Sequence, residues 1–137
     1  MRVFPDTNVL ASAFGTRGLC ADVLRLILAE HELMTGELVI EELRGVLRRK
    51  FRVPAETVKE IESFLRSYHV EPKPLELPKL MLGDHNDLVV VASALKSEAE
   101  ILVTGDQEIL NLDEPQGLRI LSPREFWNVA AGKAPQD

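Results

Sequence analysis

The stretch DLVVVASALKSEAEILVT, residues 87–104, decides how the chain folds. Its first part is ambiguous, because Val89, Val90 and Val91 are β-branched and favour a strand. Its end, EILVT (100–104), reads as a buried strand, and a strand needs a crossover before it can pair in parallel. Residues 87–97 are therefore read as that crossover, a helix. Its nearly unbroken apolar character makes it a deeply packed one.

Working outward, RVFP (2–5) and LRIL (118–121) read as further buried strands, and ELMT (32–35) as a weaker one. Helical patterns lie between them, at roughly 18–30, 37–50, 55–68 and 123–131. In SPREF, Ser122 stands at an N-cap, Pro123 at the first helical position and Glu125 three residues after the cap, forming a capping box. Pro54 marks another helix start in the same way. Strand–helix alternation predicts an α/β fold, a three-layer α/β/α sandwich around a mostly parallel sheet.

The 137 residues suffice for one domain with a single core, read here as 1–131. The Pro-rich EPKPLELPKL (71–80) reads as a long loop, and GKAPQD (132–137) as a frayed tail. Hydrophobic residues make up 45%, which excludes a disordered chain. No apolar run is long enough to span a membrane, and residues 1–20 lack the pattern of a signal peptide. A lone cysteine, Cys20, cannot form an internal disulfide and suits a reducing cytoplasm. Sixteen Lys and Arg against 22 Asp and Glu give a net charge of −6, which argues against coating nucleic acid by bulk electrostatics. It leaves room for an enzyme that binds a divalent cation first.

In open α/β sheets, sites form beyond the carboxyl ends of the strands. Asp6 follows the first strand in VFPDTNVLAS, and Asp106 follows the strand 100–104 in LVTGD. If these strands are neighbours, their ends lie about 5 Å apart. Asp84 and Asp87, in GDHND, stand at the start of the packed helix. Crowded carboxylates raise one another's pKa; a divalent cation resolves the conflict, and oxygen ligands select Mg²⁺ or Mn²⁺ over zinc. Each aspartate also has a plainer reading as a helix cap, and Asp106 would cap a short helix QEIL. On the helical wheel of 37–50, Glu42 turns toward the sheet edge while Glu41 points to solvent.

Together VFPDTNVLAS, IEELRGVL, GDHNDLVVVASAL and EILVTGDQEIL resemble the PIN domain family, in order and at the usual spacing, over residues 1–127. The chain is most similar to the small VapC-like group of toxin components. The resemblance implies a metal-dependent ribonuclease with an acidic quartet at Asp6, Glu42, Asp87 and Asp106, holding one or two Mg²⁺ or Mn²⁺ ions. Asn8 and Thr104 match residues that orient the acids, and Asp84 an additional acid found in part of the family. A cognate antitoxin and a homodimer are also implied, with Ile61, Phe64, Leu65 and Tyr68 either a dimer contact or core. Pro5, which removes a ladder N–H, and DHND in place of D-P-x-D depart from the pattern. Arg44, Arg48 and Arg49, with Lys50 and Arg52, either track RNA phosphates or solvate a helix face.

A signalling receiver would need a second acid after the first strand and a late lysine, which PDTN and LRILSP do not supply. A catalytically silent PIN-fold RNA-binding or adaptor module is the remaining alternative.

Overall fold

The computed structural model describes residues 1–132. Five strands form one all-parallel sheet in the order β3-β2-β1-β4-β5. They are β1 (Arg2–Pro5), β2 (Glu32–Gly36), β3 (His69–Glu71), β4 (Ile101–Val103) and β5 (Arg119–Leu121). The helices are α1 (Thr7–Gly15), α2 (Leu19–Glu30), α3 (Glu37–Arg49), α4 (Ala55–Leu65), α5 (His85–Lys96), α6 (Gln107–Leu110) and α7 (Pro123–Ala130).

The sheet grows from β1 in two directions. Through α1 and α2 the chain moves to β2, then through α3 and α4 to β3. Helix α5 carries it back across to β4, on the other side of β1. Right-handed crossovers of opposite direction put their helices on opposite faces, giving three layers. At the reversal the carboxyl ends of β1 and β4 open a crevice.

The core is centred on this pair. Val3, Phe4, Ile101, Leu102 and Val103 are all fully buried. The ambiguous valines lie in α5, where Val89 through Ala94 are buried without a break. Helix wins because β4 needs the crossover, and the valines fill the layer beneath β2. Ser93 there approaches so closely that a side chain at Gly36 would begin 3.3 Å from its Cβ.

Several boundaries differ from the sequence reading. Residues 7–15, given no element in the sequence reading, form α1. The helix at 55–68 ends at Leu65, and the chain extends into the unanticipated edge strand β3. Pro54 is the N-cap of α4 rather than its first residue, while the capping box of Ser122 and Glu125 is formed as read. Pro5 completes β1 without a bulge. Asp6 N–H donates to the Val103 carbonyl at 2.9 Å, so the imide nitrogen of Pro5 faces β2, where pairing has stopped after Val3. The proline removes a donor only where none is used. Of the expected tail at 132–137, residues 133–137 lie outside the described residues.

Candidate metal centre

Each acid is placed by the element that it begins or borders. Asp6 leaves β1 as the N-cap of α1, its carboxylate accepting from Val9 N–H at 2.9 Å. Asp106 caps α6, accepting from Glu108 N–H at 2.9 Å and Ile109 N–H at 3.3 Å. Asp84 caps α5, accepting from Asn86 N–H at 2.7 Å, which fixes Asp87 in the first turn. Capping is what aims these carboxylates.

Asp6, Asn8, Glu42, Asp87 and Asp106 line one cavity of about 220 Å³ at the carboxyl ends of β1 and β4. Thr7, Val46, Arg49, Val90 and Ile109 complete its wall. Thr104 lies buried beneath it, its hydroxyl donating to Asp6 and accepting from Asp106 N–H at 3.0 Å. Glu42 accepts from the Thr7 hydroxyl at 2.8 Å and from Asn86 Nδ2 at 3.1 Å. Glu41 points elsewhere, its carboxylate 2.7 Å from Lys73 Nζ. The two glutamates part because Glu42 shares a stripe with Val46 and Arg49.

Not every named residue reaches the cavity. Asp84 stays behind as a cap. Arg44 turns to α4, where its guanidinium grips Glu62 at 2.9 and 3.1 Å. Arg48 is exposed on the outer stripe of α3 with Arg44 and Glu41, away from the lining. Only Arg49 of the three brings a cation to the rim.

Among the described residues, Asp87, Asp106 and Glu108 each offer a carboxylate oxygen within 4.8 Å of the others. Glu108 was overlooked in the sequence, although D-x-E at the start of a helix puts two acids in one turn. Asp6 and Glu42 stand outside this tight trio, held by Thr104, Val9, Thr7 and Asn86. Thr7 and Asn86 had no signal of their own, since their role depends on the approach of α3.

Burial, with neighbouring charge, raises two of the acids. Burial foremost, then the charges of Asp106, Asp84, Glu108 and Glu42, pushes Asp87 up to about 6. Burial also raises Asp6, with Asp106 adding to it, against the opposing pull of the Thr104 and Val9 hydrogen bonds. The cavity's acidic donors are carboxylates alone, with no His or Cys in its lining. A hard divalent cation fits such a set. A larger cavity, about 650 Å³, lies between the Pro72–Pro78 loop and α5, but Glu71, Lys73, Glu76 and Lys96 alternate in sign there and gather no carboxylate cluster.

A parallel α/β domain with an acidic crevice at its sheet reversal defines the class. The sequence model of the PIN domain matches residues 2–108, and the chain belongs to that family. Two solved structures share the fold. One is VapBC2 from Rickettsia felis bound to a DNA fragment from the promoter, with TM-score 0.63 and 20% identity, covering 89% of this chain and 98% of the other. The second is Mycobacterium tuberculosis VapC20, a sarcin–ricin loop cleaving toxin, with TM-score 0.57 and 18% identity, covering 82% and 98%. A search of curated proteins by sequence finds no match.

Proposed function

We propose that the protein is an endoribonuclease dependent on Mg²⁺ or Mn²⁺, and the toxin of a toxin–antitoxin pair. The observation that carries this reading is the cavity where Asp6, Glu42, Asp87 and Asp106 meet, with Glu108 alongside and Arg49 at the rim. The fold shared with VapC20, described as a sarcin–ricin loop cleaving toxin, supports RNA as the substrate class. That shared with VapBC2 supports a cognate antitoxin as partner. A homodimer and a cytoplasmic setting complete the proposal.

Asp87, Asp106 and Glu108 would hold the cation, with Asp6 and Glu42 completing the acidic wall. When bound, a divalent cation neutralises charge on the scissile phosphate and makes water a competent nucleophile at neutral pH. The chain's own part is positioning. Thr104 and the start of α1 fix Asp6, Thr7 and Asn86 fix Glu42, and Arg49 offers positive charge to the phosphate. Preorganised groups of this kind spend no reorganisation energy during reaction.

The test is Mn²⁺-dependent cleavage of single-stranded RNA by wild type, Glu42→Gln and Glu41→Gln. Wild type and Glu41→Gln should cut, and Glu42→Gln should lose at least a hundredfold, about the effect of removing one preorganised catalytic group. Binding of RNA without any cleavage by the wild type would favour the silent module instead.

A further inference from the structure

The two faces of the sheet are covered unequally. Helices α1 to α4 and α7 form one layer, with α1 against α2 and α3, α3 against α4, and α7 against α2. The opposite layer holds α5 and, by the same crossover rule, the four-residue α6. The chain from Pro72 to Gly83, which has no helix or strand, lies against α5. Leu80 and Leu82 pack from this loop onto the core. A cavity of about 650 Å³ remains between its first half and Ala92, Leu95 and Lys96 of α5.

Two side chains of the loop stand apart from every other large hydrophobic group. Leu75 is fully exposed (102%) and Met81 nearly so (93%), whereas none of the others among the described residues exceeds the 49% of Val129. The rival contact surface, on α4, is better satisfied. Leu65 there is fully buried, and Ile61 packs on the core. Phe64 and Tyr68 meet edge to face at 5.3 Å, and Phe14 meets Phe64 at 6.5 Å. One exposed leucine is ordinary. Two wholly bare side chains on one proline-braced loop beside an open cavity mark a contact surface.

Geometry and charge both point to a second copy of this chain as the occupant. Leu75 and the cavity belong to the same loop, so a two-fold axis lets each copy seat its Leu75 in the other's cavity. The chain carries −6, so average surfaces of two copies repel. The segment 71–81 is neutral instead, with Glu71 and Glu76 against Lys73 and Lys79. Lys73 is held by Glu41 of its own chain, which leaves Glu76 and Lys79 to pair reciprocally across the axis. Pro72, Pro74 and Pro78 fix much of the loop's backbone, so docking costs little ordering.

We propose that this loop is the surface on which two copies of the chain meet, with Leu75 and Met81 as its apolar anchors. The proposal rests on the homodimer reading and adds where the contact lies. The acidic cavity shares no lining residue with it, so the two surfaces can be altered separately.

Sedimentation velocity over a concentration series tests this with wild type, Leu75→Glu, Met81→Glu and Tyr68→Glu, the last altering the α4 surface. Wild type should dimerise. Leu75→Glu and Met81→Glu should each weaken the dimer at least roughly tenfold, as removal of an anchor does, and Tyr68→Glu should leave it unchanged. Both loop side chains are exposed, so circular dichroism should show the loop variants folded. Glu76→Lys and Lys79→Glu should each weaken the dimer, and the double reversal should restore it. A dimer that Leu75→Glu and Met81→Glu both spare overturns the loop as the contact, while the homodimer stands. A wild type that stays monomeric throughout overturns both.

Discussion

Thr104 ties Asp6 to Asp106: its hydroxyl donates to the Asp6 carboxylate and accepts the Asp106 amide N–H at 3.0 Å. All of this happens in a fully buried position. Thr104→Val keeps the shape but strands a buried carboxylate and a part-buried amide. Unsatisfied groups of this kind cost about 1–3 kcal/mol each. Urea unfolding should therefore show a loss of at least about 2 kcal/mol, and Thr104→Ser should restore most of it. Unchanged stability in the valine variant would mean that water replaces the hydroxyl.

Asp87 predicts a pH dependence of the metal-free fold. Its folded value, about 6, lies above the ordinary 3.8. Between those values the folded state holds the additional proton, so raising the pH through this window lowers stability. Above about pH 6 the full cost is present. The raised Asp6 acts in the same direction. Denaturation at several pH values in a chelator should show wild type losing stability from pH 4 to pH 6, and Asp87→Asn losing less. Identical profiles would refute the assignment to Asp87.

Asp106→Asn separates charge from capping. Asparagine caps a helix as well as aspartate does, so the bonds from Glu108 and Ile109 persist. Repulsion with Asp87 is relieved, and the metal-free variant should melt at or above wild type. Added Mn²⁺ should stabilise the wild type by about 2.7 kcal/mol at a hundredfold excess over its dissociation constant, and the variant by little. A variant that responds fully to Mn²⁺ places the cation elsewhere.

Gly15→Ala should destabilise, although alanine is the better helix former by about 1 kcal/mol. The new carbon would fall 2.6 Å from two atoms of the Phe51 ring. Overpacking of this kind costs about 1–3 kcal/mol, so a net loss is expected in thermal melts. Pairing the change with Phe51→Leu should recover part of it.

Legibility in the sequence followed the range of the interactions. β1, β4, α5 and the acids at their ends could be read because local pattern and topology agree there. α1 was hidden, since DTNVLASAFG starts with three polar residues whose capping and wall roles need β4 and α3 in place. β3 was hidden because three residues before a proline run carry almost no period. Arg44 and Arg49 look alike in sequence, yet a partner on α4 takes one and the cavity receives the other. Glu108 could have been found from the capping geometry of QEIL; Thr7 and Asn86 could not.

The bond from Thr104 to Asp6 spans 98 residues, and this sets the moment at which the site can exist. During synthesis, at about 5–20 residues per second, the end of the first strand waits roughly 5–20 s for its partner. Until then β1 has only β2 beside it, and Asp6 faces no Asp106. A nascent chain that stops short of Thr104 also lacks Asp106 and Glu108. On the ribonuclease reading, the protein is made on an RNA template before its acidic centre is assembled.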